Sequence, residues 1–193
     1  VLVVQIHTHI LPKDFPDLEK KFGYGGWIRL DPNPNGTANM IKNGKQFRVV
    51  ECNCWDPIAR LEDCRKSGVD LQVLSTIPVM FSYWAQPKHT YTLSRMLNDD
   101  IAETVQENPK KFVGLGTIPM QDEKLAIIEL ERCIQELGLS GVQIGSNING
   151  ENLSSPKFFS IFEAASDLGA SIFVHPWDIM GKNQMKKYWL PWL

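Results

Sequence analysis

The sequence has few cysteines, little net charge and no long apolar run. Its four cysteines, at 52, 54, 64 and 133, include no Cys-x-x-Cys pair, so we expect reduced thiols in a cytosolic protein rather than a disulfide framework. A net charge of −2 over 193 residues gives no electrostatic reason to expect nucleic acid or an anionic membrane as a partner. The apolar runs are far shorter than the roughly 20 residues that span a bilayer. These absences predict a cytoplasmic globular domain with no nucleic-acid or membrane partner.

Two common cofactor signatures are also missing. No glycine-rich Gly-x-Gly-x-x-Gly motif follows the first apolar segment, which removes the main sign of a dinucleotide-binding fold. Cys52-Asn53-Cys54 could form half of a metal site, but no second cysteine pair completes it. Neither a dinucleotide cofactor nor a cysteine-based metal site is therefore favoured.

The sequence does show a regular alternation of strand-like and helix-like segments. Short apolar segments of strand type lie at 1–6, 69–76, 112–118, 141–145 and 170–175. Segments of helix type lie at 56–68, 89–109, 123–138 and 154–169. Strict alternation predicts a parallel sheet with right-handed crossover helices. From the pattern alone, a doubly wound open sheet and a (β/α)8 barrel both stay open, and residues 1–193 are expected to form one domain.

Residues 15–54 interrupt this alternation between the first strand and the first helix. They contain FGYGGW, DPNPNG and IKNGKQFRVV, and Asn43-Gly44 within the last segment is typical of a two-residue hairpin turn. An insertion of about forty residues is well beyond the usual length of such a loop. Because long loops at the carboxyl ends of parallel strands build substrate sites, this inserted region is expected to contribute to one.

Three of the four histidines lie at the ends of predicted strands. His7 and His9 follow the first strand two residues apart, so their side chains project to the same side. His175 ends the fifth strand, which faces the first across the mouth of an eight-stranded barrel. We therefore expect the three imidazoles to converge and bind zinc, with an open position for a catalytic water. A hydrogen-bonded structural role is the alternative for any one histidine, and His89, at the start of a predicted helix, is expected at the surface.

Several segments together carry a resemblance to a known family. They are HTHILP, FGYGGW, FRVV, NCWDP, STIPVMFSYWA, KFVGLGTIPMQ, GVQIG, FVHPWD and KYWLPWL. Over essentially its whole length the sequence resembles the aminocarboxymuconate semialdehyde decarboxylases of the amidohydrolase superfamily. The His-x-His motif alone indicates only the superfamily, whereas PVMFSYW, FVHPWD and KYWLPWL are far more specific.

The resemblance implies a zinc-bearing (β/α)8 barrel that acts as a metal-dependent carboxy-lyase. The implied reaction is the non-oxidative decarboxylation of 2-amino-3-carboxymuconate 6-semialdehyde, a small-molecule carboxylate, in the kynurenine pathway of tryptophan catabolism. The implied assembly is a homodimer. The implied zinc ligands are His7, His9 and His175, and the implied substrate-binding residues are Arg48, Lys42, Phe47 and Trp192. Arg48 suits a carboxylate because its planar guanidinium donates two parallel hydrogen bonds, although a solvated surface arginine is the plainer alternative.

Two features depart from the family's pattern. The family usually has an aspartate two residues before the first histidine, where this sequence has Gln5, so altered support of the metal site is expected. The sequence also ends at Leu193 after five predicted strands and four predicted helices, whereas a (β/α)8 barrel typically takes about 250 residues. The family's acid/base histidine, its metal-binding aspartate and a second substrate arginine would lie beyond Leu193. We therefore expect the first five strands of a barrel from a longer protein, or else a chain that closes its sheet with a partner.

Three functions remain open at this point. A zinc-dependent decarboxylase is favoured, and a metal-dependent hydrolase or another decarboxylase of the same superfamily is the nearest alternative. The third is a truncated chain without catalytic activity that binds metal poorly.

Overall fold

The computed structural model describes residues 1–178 and 180–185. The strands are β1 (Val4–Ile10), β2 (Ile28–Pro32), β3 (Ala38–Lys42), β4 (Lys45–Val50), β5 (Leu71–Thr76), β6 (Phe112–Gly116), β7 (Gly141–Gly145), β8 (Asn147–Ile148), β9 (Glu151–Asn152) and β10 (Ser171–His175). The α-helices are α1 (Leu18–Phe22), α2 (Pro57–Ser67), α3 (Pro87–Glu107), α4 (Glu123–Gln135), α5 (Phe159–Asp167) and α6 (Lys182–Met185). Of the helices in this described part, none is both long and apolar enough to cross a membrane.

Five parallel strands form the main sheet, in the order β1-β5-β6-β7-β10. The helices α2 to α5 provide the crossovers, as the alternation of segments predicts. The core lies between strands and helices and includes Leu74 and Val142 from the sheet and Ile101, Leu130 and Ile161 from the helices, all 1% exposed or less. Side chains of the two outer strands, β1 and β10, touch each other, so the sheet is strongly curved, as part of a barrel must be.

The helix boundaries follow from capping residues that the sequence supplies. The Asp56 carboxylate accepts a hydrogen bond from the backbone amide of Ile58 (2.8 Å), which satisfies one of the free donors in the first turn of α2. Asp122 caps α4 in the same way through the amide of Leu125 (3.0 Å). The two aspartates therefore determine the residues at which α2 and α4 begin.

The inserted region between β1 and α2 contains the helix α1 and an antiparallel sheet in the order β2-β3-β4. Asn43 and Gly44 form the turn between β3 and β4 with φ of 51° and 70°, the left-handed values that a tight hairpin turn requires. Met40 of this sheet and Trp27, which precedes β2, belong to a second cluster of buried residues that also contains Leu93 and Leu97 of α3. Sequence reasoning found the turn but not α1 or the third strand, β2.

The first strand differs from the expectation. It spans Val4–Ile10 rather than 1–6, and its first four positions are exposed rather than buried. The reason is that β1 is an outer strand of the described sheet and pairs only with β5. The helix expected at 154–169 is also shorter, because a 3-10 turn at Pro156–Phe158 precedes α5.

Candidate metal centre

Three imidazole rings meet at one end of the main sheet. His7 and His9 lie in β1 and His175 is the last residue of β10. The ring centroids are 5.0 Å apart for His7 and His9, 4.8 Å for His7 and His175, and 5.2 Å for His9 and His175. One nitrogen from each ring lies within 4.8 Å of the others. The curvature of the sheet therefore brings together side chains that are 168 positions apart in the sequence.

A bulge in β1 helps to aim these side chains. Gln5 pairs with Gln72 and Thr8 pairs with Leu74, so three steps along β1 match two steps along β5. The extra residue lies in the segment that contains His7. Bulges of this kind twist a strand and redirect its side chains, and they are frequent beside functional sites.

The backbone after β10 holds His175 in one tautomer. Its Nδ1 lies 2.7 Å from the carbonyl oxygen of Pro176, and because a carbonyl can only accept, Nδ1 carries the proton. The lone pair is then on Nε2, which lies 2.8 Å from Nε2 of His7. Ser146 fixes the segment, since its amide donates to the His175 carbonyl (2.9 Å) and its hydroxyl accepts from the amide of Trp177 (3.0 Å).

Burial keeps two of these imidazoles neutral at physiological pH. The pKa of His9 is lowered to about 4, mainly because the ring is withdrawn from water and then because His175 and His7 lie beside it. The pKa of His175 is also lowered, again chiefly by burial. Neutral imidazoles have the lone pairs that a metal ion needs.

The donor set fits a divalent transition metal. Neutral imidazole nitrogens are good ligands for zinc and for neighbouring first-row metals. Within residues 1–178 and 180–185, the group of convergent metal-ligating side chains consists of the three histidines, without a carboxylate or thiol. Metal–nitrogen bonds of about 2.0–2.1 Å place two ligand atoms at most about 4 Å apart, and the three nitrogens here lie within 4.8 Å of one another, which is close to that limit.

Gln5, the residue that departs from the family's pattern, is linked to His9 through two buried side chains. Its Oε1 accepts from Nε2 of Gln72 (2.7 Å), and Gln72 Oε1 in turn accepts from Nη1 of Arg60 (3.3 Å). Arg60 donates through Nη2 to the backbone carbonyl of His9 (2.5 Å). Sequence reasoning missed Arg60 and Gln72, because nothing in the local pattern of α2 or β5 marks a contact with β1.

The residues predicted to bind substrate lie on the inserted sheet. Arg48 lies on β4 opposite Met40 and is exposed, with its guanidinium carbon 5.9 Å from the centroid of the Phe47 ring. Lys42 ends β3 and pairs with Lys45 across the hairpin. Among the described contacts, none joins these side chains to the three histidines. Trp192 lies outside the described residues.

His89 is not the surface residue that the sequence suggests. It is half-buried in α3 and stacks on Phe22 with ring centroids 4.3 Å apart. Its Nδ1 shares a hydrogen bond with the hydroxyl of Tyr24 (2.9 Å). The fourth histidine therefore connects α3 to the inserted region and stands apart from the metal-ligating cluster.

Comparison with known proteins decides the family. The family model described as amidohydrolase matches residues 4–185. The chain belongs to the amidohydrolase family. This amidohydrolase is 54% identical over 192 residues to a 2-amino-3-carboxymuconate-6-semialdehyde decarboxylase of Dictyostelium discoideum, a match that covers 100% of this chain and 54% of that protein. It is 35% identical over 240 residues to the Caenorhabditis elegans protein of the same name, covering 98% of this chain and 60% of the relative.

Solved structures confirm the fold of this amidohydrolase. A 5-carboxyvanillate decarboxylase of Novosphingobium aromaticivorans, complexed with manganese, superimposes with a TM-score of 0.72 at 20% identity and covers 97% of this chain and 54% of its own. The 5-carboxyvanillate decarboxylase of Sphingomonas paucimobilis has a TM-score of 0.64 at 30% identity over 72% of this chain and 41% of its own. The expected fold, an amidohydrolase-type (β/α)8 barrel represented by five of its strands, is confirmed, and the chain spans about half the length of these relatives.

Proposed function

We propose that this amidohydrolase is a zinc-dependent carboxy-lyase that decarboxylates 2-amino-3-carboxymuconate 6-semialdehyde without an oxidant, in the kynurenine pathway of tryptophan catabolism. The observation that carries the proposal is the convergence of three imidazoles at the carboxyl ends of β1 and β10. The 54% identity to a decarboxylase of that name supports the choice of substrate. The manganese and aromatic acids named for the solved decarboxylases support the broader class, a metal-dependent enzyme acting on a carboxylate.

The histidine cluster prepares the site for a cation. Nε2 of His175 has its lone pair toward Nε2 of His7, which lies 2.8 Å away. For both nitrogens to bind one ion, neutral His7 must carry its proton on Nδ1, so that its Nε2 lone pair is also available. A divalent ion held there supplies Lewis-acid chemistry to the substrate. Zinc is preferred over manganese because imidazole ligands suit zinc, whereas oxygen ligands suit manganese.

The inserted region 15–54 is proposed to bind the substrate carboxylates. In the described part of the chain no carboxylate lies within ion-pair distance of Arg48. Its guanidinium can therefore donate two parallel hydrogen bonds to a substrate carboxylate. Lys42 adds a second positive charge on the neighbouring strand. Phe47 holds its ring beside the guanidinium and half in solvent, at 51% exposure, where it could cover a planar substrate. Trp192 is proposed to complete the pocket.

Decarboxylation needs a bound carboxylate and a proton. The bond between the carboxyl carbon and the substrate carbon breaks, carbon dioxide leaves, and the electron pair stays on the substrate until a proton reaches that carbon. Three histidines of this chain form the cluster and His89 is held in an aromatic stack. The proton is therefore proposed to come from a group other than these four histidines. We propose further that the protein is a homodimer located in the cytoplasm.

The test is an activity and metal assay on this chain and on a chain extended to the length of its decarboxylase relatives. The proposal predicts loss of the semialdehyde with release of one carbon dioxide per substrate by the extended chain, together with bound zinc. His7→Ala and His9→Ala are expected to lose both the metal and the activity. His89→Ala, a matched histidine outside the cluster, is expected to keep the zinc.

Two results would contradict the proposal. Hydrolysed product without carbon dioxide would indicate a hydrolase of the same superfamily. Decarboxylation of 2,6-dihydroxybenzoate in preference to the semialdehyde would move the substrate to the aromatic acids of the solved relatives.

A further inference from the structure

The hydroxyl of Ser75 lies at the centre of a small buried network beside His9. Ser75 is next to His9 in the register between β5 and β1 and is 3% exposed. Its Oγ lies 2.9 Å from the carbonyl oxygen of Thr8, 2.9 Å from Oε1 of Gln143 and 3.3 Å from Nδ1 of His9. Nothing in the sequence marks this serine, and the proposed reaction does not use it.

Gln143 fixes the direction of the network. It lies in the middle of β7 and is fully buried. Its amide nitrogen donates to the carbonyl of Thr76 (2.8 Å), so its oxygen must be the atom that faces Ser75. The orientation of the amide follows from this pair of contacts, because a carbonyl oxygen cannot accept from another oxygen without a proton.

The proton count of the serine then determines the tautomer of His9. A hydroxyl has one proton to donate, and two neighbours of Ser75 Oγ, the carbonyl oxygen of Thr8 and Oε1 of Gln143, can only accept. The serine proton goes to one of these, so toward His9 the hydroxyl can only accept. Nδ1 of His9 must therefore be the protonated nitrogen, and Nε2 has the lone pair.

We propose that Ser75 and Gln143 are positioning residues that hold the His9 ring in the tautomer and orientation required for metal binding. The inference rests on the proposed metal centre. The carbonyl of Pro176 orients His175 through the backbone. His9 also has a backbone contact, with Thr76, and in addition contacts the Ser75 hydroxyl of β5, which Gln143 of β7 holds in place. Partners of this kind orient metal-ligating histidines, and their loss typically weakens metal binding by about 10- to 100-fold.

The first measurement is the tautomer of His9 in the ion-free chain. Long-range ¹⁵N–¹H correlation spectra of the ring nitrogens distinguish Nδ1–H from Nε2–H directly. The proposal predicts Nδ1–H for His9 in the wild-type chain, and a mixture of tautomers in Ser75→Ala. A wild-type His9 protonated on Nε2 would overturn the proposal without any variant having to fold.

The second measurement is zinc affinity, by competition with a chromophoric chelator. Ser75→Ala and Gln143→Met are expected to bind zinc about 10- to 100-fold more weakly than the wild type, and Ser75→Thr, which keeps the hydroxyl, is expected to recover most of the loss. Because the two residues act through one network, the double variant should lose little beyond the larger single loss. The control is Ser94→Ala, an equally buried serine on α3 at 2% exposure, which should leave zinc affinity unchanged.

The outcomes separate this inference from the proposed function. If the wild type binds zinc and both network variants bind it within about twofold of wild type, positioning is wrong and the metal centre stands. If Ser94→Ala weakens binding as much as Ser75→Ala, the effect is one of general stability and positioning is again wrong. If the wild type binds no more zinc than His7→Ala, the metal centre itself is wrong and the positioning inference is overturned with it.

Discussion

Replacing Glu129 by alanine is expected to destabilise the chain by breaking a buried polar network between α3 and α4. The Glu129 carboxylate is fully buried and accepts from Nη2 (2.7 Å) and Nε (3.0 Å) of Arg132 and from Nδ2 of Asn98 (2.7 Å). Asn98 in turn connects both helices to the residue that follows β6, because its side-chain oxygen accepts a hydrogen bond from the amide of Thr117 (2.7 Å). The carboxylate is therefore the shared acceptor of a buried network.

The magnitude follows from what the substitution leaves behind. Removing one partner of a buried ion pair costs about 3–5 kcal/mol, because the other charge stays buried without compensation. Arg132 is 7% exposed but keeps a second acceptor in Asp99 (2.6 Å), which lies partly in solvent. We therefore expect Glu129→Ala to cost about 3 kcal/mol, at the lower end of that range. Glu129→Gln keeps an acceptor for Asn98 and is expected to cost about half as much.

The assay is urea unfolding followed by circular dichroism, with Asp99→Ala as the matched control. The Asp99 side chain is 54% exposed, and half-exposed ion pairs contribute at most about 1 kcal/mol. The reasoning predicts a clear gap between the two alanine variants. It would be refuted if Asp99→Ala cost as much as Glu129→Ala, or if Glu129→Ala cost less than about 1 kcal/mol.

Three further predictions concern pH, metal and backbone packing. Burial, and then a neighbouring glutamate, raise the pKa of Asp100 to about 6. The ionised carboxylate therefore destabilises the fold increasingly as pH rises from about 4, and fully above about 6. A shift of this size corresponds to at most about 3 kcal/mol, and because the side chain is only partly buried we expect Asp100→Asn to add about 1 kcal/mol near pH 7.5 and little near pH 4 in thermal unfolding; an equal gain at both pH values would contradict this. Zinc at about 100 times its dissociation constant should raise the free energy of unfolding by about 2.7 kcal/mol, reversibly with a chelator, and the absence of any shift would count against a folded-state site. A Cβ at position 141 would lie 2.0 Å from the carbonyl oxygen of Ser171, so Gly141→Ala should break the β7–β10 pairing and reduce the yield of soluble, folded chain. Gly68→Ala is the control: a Cβ there has no atom within 4 Å, and the substitution should cost only about 1 kcal/mol. Equal effects of the two substitutions would show that β10 does not pair with β7 as described.

The sequence predicts the main architecture because that information is local. Alternating apolar segments and capping residues such as Asp56 specify which segments become strands and helices. The position of His175 at the end of its strand, and of His7 and His9 near the end of theirs, then follows from the parallel topology. The convergence of the three rings could thus be predicted once a barrel was assumed.

The rest of the site depends on contacts between distant segments, which local patterns do not encode. Ser75 and Gln143 meet only because β5 and β7 lie on either side of β6 and both face the same interior. Arg60 reaches His9 across the space between a helix and a strand. The exposure of the first half of β1 also depends on which strands are its neighbours. A short apolar segment has the same sequence pattern at the edge of a sheet as at its centre, so the sequence does not distinguish the two positions.

Gln5 illustrates both what the sequence predicts and what it does not. Its departure from the family's pattern is visible in the sequence, but the contacts that its side chain makes are not. The structure places it at the end of a hydrogen-bonded series through Gln72 and Arg60 to the backbone of His9, to which its uncharged amide adds no negative charge. Burial lowers the pKa of that guanidinium, and among the described residues its Nε has no hydrogen-bond partner.

X-ray absorption spectroscopy of the zinc-loaded chain tests the central claim most directly, because it reports the atoms bound to the ion. The claim predicts about one zinc per chain with imidazole ligands at about 2.0–2.1 Å, and loss of that signal in His7→Ala and His175→Ala. A sulfur shell at about 2.3 Å, as Cys52 and Cys54 would give, or an unchanged spectrum in the histidine variants, would contradict it.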